Sequence, residues 1–256
     1  MSNFPVIHGL GFGEEKSLST RKGAFLGQKG ITIDGREFRY ALNGGVALQA
    51  GVPVQSAVQP GTSEAADAIA AGLTNGVGAT VATGISTIAL VMTTAIAENT
   101  FQDGYLYVKV GPGAGAYLIK QHTSGSSASN LNVELYAGDK IDKVAHTTAT
   151  RYALQRNLYS SVIVAPASAS VTGTLIGATH TSVPIGNYFW LQTNGPAPLL
   201  MQTATSAGQG VVWGTTGGEF IGQTTADPMQ LQPVAGYTLH SAATTNVLDL
   251  INLKID

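Results

Sequence analysis

The sequence predicts an all-β protein, a β-sandwich or barrel body with an extended N-terminal arm and little helix. Three observations carry this reading. Apolar residues alternate with period two in several runs, and short Gly- and Ser-rich segments separate those runs. Charge is also scarce: 11% of the 256 residues are charged and 44% are hydrophobic, against roughly 25% charged in an ordinary soluble domain.

Residues 1–30 lack any sustained helical or strand period and are punctuated by Gly9, Gly11, Gly13, Gly23, Gly27 and Gly30. They read as an extended arm. Residues 1–40 hold ten of the 28 charged residues, whereas 157–248 hold two, Glu219 and Asp227. Within the arm, Phe4, Phe12 and Phe25 are apolar anchors, and Arg21 and Lys22 can meet acidic or carbonyl groups of a partner. Arg36 and Arg39 extend the same basic stretch. A truncation near Gly30 is expected to leave the body folded.

The body, residues 31–256, is β-rich and could divide into two subdomains meeting near 140–160. In Tyr105–Val110, Leu106, Val108 and Val110 share one face. Gly111-Pro112-Gly113-Ala114-Gly115 then makes a hairpin loop to 116–122. Leu131, Val133 and Leu135 alternate with polar neighbours, as do Ile251, Leu253 and Ile255. The run 161–165 reads as a central strand ended by Pro166. One helix is expected at 63–73, capped by Thr62 or Ser63, with Glu64 and Asp67 in its first turn. Residues 68–97 carry no charge, but Gly, Thr, Asn and Ser break them too often for a membrane span, and buried strands fit better.

Chemistry is thin. The absence of cysteine excludes disulfide scaffolds, thiol catalysis and Cys-based zinc sites. The five histidines have no metal-ligand spacing, so no metal or cofactor is expected. The glycine clusters at 9–13 and 111–115 are turn glycines, because no helix N-terminus follows to face a phosphate. A net charge of −2 disfavours nucleic acid as a partner. Tyr188-Phe189-Trp190-Leu191 is the densest aromatic run, suited to core or intersubunit packing.

Several landmarks together resemble a family of tailed-phage head decoration (cement) proteins. These are Asp34-Gly35-Arg36-Glu37-Phe38-Arg39-Tyr40-Ala41 with Gly44, Ala47-Leu48 and Gly51, and Asp103-Gly104-Tyr105-Leu106 through Tyr117-Leu118-Ile119. Leu135-Tyr136 with Gly138-Asp139, Val162–Pro166 and Tyr188–Thr193 with Gly195-Pro196 follow in order. The closing segment, Ala235-Gly236-Tyr237 with Leu239 leading to Val247, Ile251 and Leu253, is similar to a final hairpin of phage head auxiliary proteins. The resemblance implies a non-enzymatic structural protein on the outer surface of the virion capsid, made in the bacterial host cytoplasm. Its implied partners are the major capsid protein and itself, as a homotrimer, with no membrane and no nucleic acid. The interface residues expected are Phe4, Phe12, Arg21, Lys22, Phe25, Arg36 and Arg39. An alternative reading is a head-fibre or surface glycan-binding module using Tyr188, Trp190 or Trp213.

Overall fold

The computed structural model describes residues 7–58, 80–92, 94–113, 115–126, 130–141, 144–168, 172–224, 233–241 and 245–255. The chain divides into two compact units, one of residues 1–58 and 158–256, the other of 59–157. The first half of unit one carries β1 (Ile7–Gly9), β2 (Lys29–Ile31), β3 (Glu37–Leu42) and β4 (Pro53–Gln55), with a single 3-10 turn at Glu14–Lys16. Unit two carries β5 (Thr87–Val91), β6 (Tyr105–Val110), β7 (Ala116–His122), β8 (Asn130–Leu135) and β9 (Arg151–Gln155). Unit one resumes with β10 (Ile163–Val164), β11 (Leu175–Thr179), β12 (Tyr188–Met201), β13 (Gly210–Trp213), β14 (Phe220–Gly222), β15 (Gly236–Thr238) and β16 (Val247–Lys254). The protein is all-β. The helix expected at 63–73 lies outside the described residues, among which no helix is long and apolar enough to cross a membrane.

Unit one is organised on the 14-residue β12. Its first half pairs antiparallel with β3, from Tyr188↔Leu42 to Gln192↔Phe38, and with β11. From β11 the sheet continues to β4 and β10, and a parallel bridge between Asn43 and Val162 returns it to the end of β3. Val54, Ile176, Phe189 and Leu191 are buried inside this part. The second half of β12 pairs with β16 from Asn194↔Lys254 to Met201↔Val247. The order β12–β14–β13–β15–β16 then closes back on β12, forming a barrel filled by Leu199, Met201, Phe220, Ile251 and Leu253. Closure leaves these strands without an open edge.

Residues 7–30 do not form the separate arm that their glycines and missing periodicity suggest. β1 runs parallel to β2, and β2 pairs antiparallel with β3. Leu10 and Leu26 are buried with Phe38, Tyr40 and Trp190. Backbone pairing replaces side-chain periodicity here: Gly27 N–H donates to the Tyr40 carbonyl at 2.8 Å, and Leu10 N–H to Ile31 at 2.9 Å. Gly30 is part of the packing, since a Cβ on it would lie 2.9 Å from both Leu10 and Trp190. The division expected at residue 30 therefore cuts through the sheet. Of the two crossings between units, the one after residue 157 falls within the seam expected near 140–160, and the one after residue 58 was not expected.

Unit two is a five-stranded antiparallel sheet in the order β5–β8–β7–β6–β9. Its core contains Ile88, Leu90, Leu106, Ile119, Leu131, Val133 and Tyr152. The Gly-Pro-Gly turn joins β6 to β7 as a hairpin.

Candidate interaction surface

Two turns at the β1–β3 edge of unit one bring charged and apolar groups together. In the first, the carboxylate of Glu14 accepts the Gly11 N–H at 2.9 Å and lies 3.0 Å from His8 Nε2. The Gly11 N–H, then His8, hold the Glu14 carboxyl below the ordinary value. In the second, between β2 and β3, the Thr32 hydroxyl donates to Asp34 at 2.5 Å. That bond, and next Arg36, keep the Asp34 carboxyl below its usual range. Arg36 Nε donates to Asp34 at 2.7 Å, its Nη2 stands 3.5 Å from Glu15, and its guanidinium lies 5.6 Å from the Phe38 ring centre.

Between these turns lies a shallow open depression. Phe12 and Ile33 rim it, and they are 93% and 83% exposed. Leu10, Glu15, Asp34 and Arg36 line it. Glu15 is only 6% exposed, and its Oε2 is buried with no hydrogen-bond partner. Large apolar side chains exposed together mark a candidate interaction surface.

Of the residues singled out in the sequence, Phe12 and Arg36 meet at this depression. Arg21 is exposed on a neighbouring turn, where its N–H donates to Ser19 Oγ at 3.0 Å. Lys22 and Phe25 are brought together, with Nζ 5.7 Å from the ring centre. Arg39 is engaged in the fold, donating to the Gly27 carbonyl at 3.1 Å. Phe4 lies outside the described residues. Glu15 and Ile33 escaped sequence reasoning, because an acid in a Glu-Glu-Lys stretch reads as solvated and an isolated Ile reads as core.

A second exposed apolar feature lies on the outer face of the barrel. On β16, Asp249, Ile251 and Leu253 point inward, whereas Leu248 and Leu250 point outward, Leu248 being 52% exposed. Tyr237 of β15 stands opposite Asn252, and Leu239 N–H meets the Leu250 carbonyl at 3.4 Å. Tyr237 and Leu239 are exposed too. The inward Asp249 is satisfied by the Leu250 N–H at 2.8 Å, by His240 Nε2 at 2.8 Å and by the Thr205 hydroxyl at 3.4 Å. Extending the Ile251–Leu253 alternation backwards puts Asp249 inside and two leucines outside, so the signal was present in the sequence.

The aromatic run packs inward. Trp190 is 5% exposed, edge-on to Tyr40 with ring centres 5.0 Å apart and stacked on His8 at 5.8 Å. Tyr188 stacks on Tyr40 at 5.7 Å, and Trp213 is buried. Trp190 and Trp213 are therefore core residues, with Tyr188 half-buried in the first one's stack.

Two histidines of unit two are buried and held neutral. His122 Nε2 accepts the Phe101 N–H at 2.9 Å, so its Nδ1–H donates to the Thr123 carbonyl at 2.7 Å. His146 contacts the Tyr152 hydroxyl at 2.9 Å and the Tyr117 hydroxyl at 3.5 Å. Burial lowers both imidazoles from the ordinary 6.5 and raises Tyr152 to about 12. Among the described residues no group of three or more His, Cys, Asp and Glu side chains is arranged to hold a metal ion. Compared with family models, with curated proteins and with solved structures, the chain matches none.

Proposed function

We propose that this chain is a structural virion protein that decorates and stabilises a phage capsid by clamping adjacent major capsid protein subunits. It sits on the outer surface of the head and has no enzymatic role. The reading is supported by the ordered landmarks that resemble head decoration proteins and by a charge-poor all-β fold. The observation that carries it is the exposed apolar face made by Tyr237, Leu239, Leu248 and Leu250 on a closed barrel. Contiguous exposed apolar groups of this kind mark association surfaces.

The two surfaces take different partners. The β15–β16 face has no charged side chain at its centre and suits a second copy of this chain, in a trimer about a local threefold. The charged β1–β3 edge suits the capsid, where polar contacts set register and orientation. A protein that binds only the assembled shell shifts the disassembly equilibrium towards the shell by mass action.

Heating phage heads that lack this protein, with and without the purified full chain, tests the reading. The temperature of genome release should rise on addition, and the Leu248→Lys/Leu250→Lys variant should lose much of that effect. An unchanged release temperature with the unaltered chain overturns the proposal.

A further inference from the structure

In unit two, β5 is bonded to β8 alone, through an unbroken register from Thr87↔Glu134 to Val91↔Asn130. The Leu135 N–H donates to the Ser86 carbonyl at 2.7 Å. Backbone polar groups alternate in direction along a strand, so Ser86, Ile88 and Leu90 face β8 while Ile85, Thr87, Ala89 and Val91 face away from it. On that outer side, residues 141–146 cover the start of the segment. The Ile141 N–H donates to the Ile85 carbonyl at 3.0 Å, and Val81 and His146 exchange bonds at 2.8 and 2.9 Å. Beyond Ile85 the cover ends. The backbone groups of Thr87, Ala89 and Val91 have no hydrogen-bond partner among the described residues.

An open edge is a template for another strand, and proteins ordinarily blunt it with Lys, Pro or a bulge. The opposite edge of this sheet, β9, begins at Arg151 and is followed by Arg156. β5 has no such guard: residues 80–92 contain neither a charge nor a proline, and the pairing with β8 has no bulge. We propose that this edge pairs antiparallel with β5 of a second copy, about a twofold axis at Ala89.

The strand is complementary to itself. With Ala89 on the axis, Thr87 stands opposite Val91 of the second copy, Ala89 opposite Ala89, and Val91 opposite Thr87. Each such pair exchanges both N–H···O bonds, so every open group of the two edges is satisfied, whereas a shift of register leaves some bare. Ile88 and Leu90 of the second copy fall opposite each other, and both, 1% and 0% exposed, keep their places in their own cores. The axis sets only uncharged side chains against one another, so the like-charge repulsion that penalises self-pairing is absent. This contact belongs to unit two and stands whether or not the chain decorates a capsid.

A five-residue edge is a small contact, so the pairing is read at high concentration. Hydrogen exchange of the full chain is followed residue by residue from about 1 μM to about 1 mM protein. The amides of Thr87, Ala89 and Val91 should exchange about tenfold more slowly at the upper end, while Ile88 and Leu90, already bonded to β8, stay unchanged. The same dependence should persist in Leu248→Lys/Leu250→Lys, which alters a different surface. Ala89→Pro removes an open N–H without touching a bond to β8, and should abolish the added protection of Thr87 and Val91.

Should Ala89→Pro also unprotect Ile88 and Leu90, Thr87→Lys/Val91→Lys replaces it. That variant sets like charges across the axis and should abolish the protection, whereas Thr87→Lys/Val91→Glu sets opposite charges there and should restore it. Fast exchange of the three amides at every concentration overturns the inference. Slow exchange at every concentration overturns it too, because the chain then covers its own edge. Protection that appears only when phage heads are added also overturns it, since the occupant is then a strand of the capsid and not a second copy.

Discussion

His122 has each ring nitrogen committed to one role, and only the neutral imidazole fits. Protonating Nε2 would set its new N–H against the Phe101 N–H that it now accepts. The charge of Glu98 opposes the shift without cancelling it, since desolvation is the largest influence. His146, between Tyr117 and Tyr152, is lowered by the same cause. The folded state therefore binds fewer protons than the unfolded one just below the ordinary value of 6.5. Stability is full above that pH and is lost as pH falls towards the folded-state values, by at most about 1.4 kcal/mol per pH unit for each histidine. Urea melts of the full chain from about pH 7.5 down to about 5.5 should show stability falling with pH, and His122→Gln should make that fall shallower. Gly113 belongs to the same corner. Its φ is +82°, and a Cβ there would lie 2.4 Å from His146 Cδ2. Gly113→Ala should cost about 2 kcal/mol or more in the same melts, whereas Gly138→Ala, with no atom within 4 Å of its Cβ, should cost far less. The sequence marked Gly113 as a turn residue, but its closeness to His146 is a long-range fact that no local pattern carries.

Strands with one wet face were legible, and strands defined by partners on both sides were less so. β8 follows the alternation of Leu131–Leu135, whereas on β6 Leu106 is buried and residues 107–110 are all half-buried, with no alternation between its two faces. The run 161–165 yields only the two-residue β10, because Ser161 adopts φ +54° and the chain turns before it. β12 runs well beyond Leu191, through Pro196 and Pro198, residues that normally argue against a central strand. Both share parity with Leu200, whose N–H donates to Gly51 and not to β16, so the prolines remove no ladder bond to β16. On β16 the inward Asp249 obscured the outward leucines. Leu248→Lys/Leu250→Lys should leave the far-UV circular dichroism of the folded chain unchanged, since both positions are exposed on the single chain. Light scattering of the full chain should find the unaltered protein associated and this variant monomeric.

At the scale of the whole chain, residues 7–30 belong to the fold as well as to the surface. Their glycine content hid this, because β1 and β2 are held by backbone bonds and by only a few buried side chains such as Leu10 and Leu26. Removing residues 1–30 should therefore strip two strands and expose Trp190, lowering the stability of unit one substantially. Leu26→Ala alone should cost about 2–4 kcal/mol in a denaturant melt. Phe12→Ser, at a position facing solvent, should leave the melt unchanged and weaken head binding. The function proposed for the molecule makes a stoichiometric demand, since a clamp between capsid subunits must repeat with the lattice. Quantitative mass spectrometry of purified virions, with copy number measured against the major capsid protein, tests that demand most directly. A clamp that repeats with the lattice should be present in hundreds of copies, in fixed ratio to the capsid protein; a handful of copies per particle, or none, would rule out the decorating role.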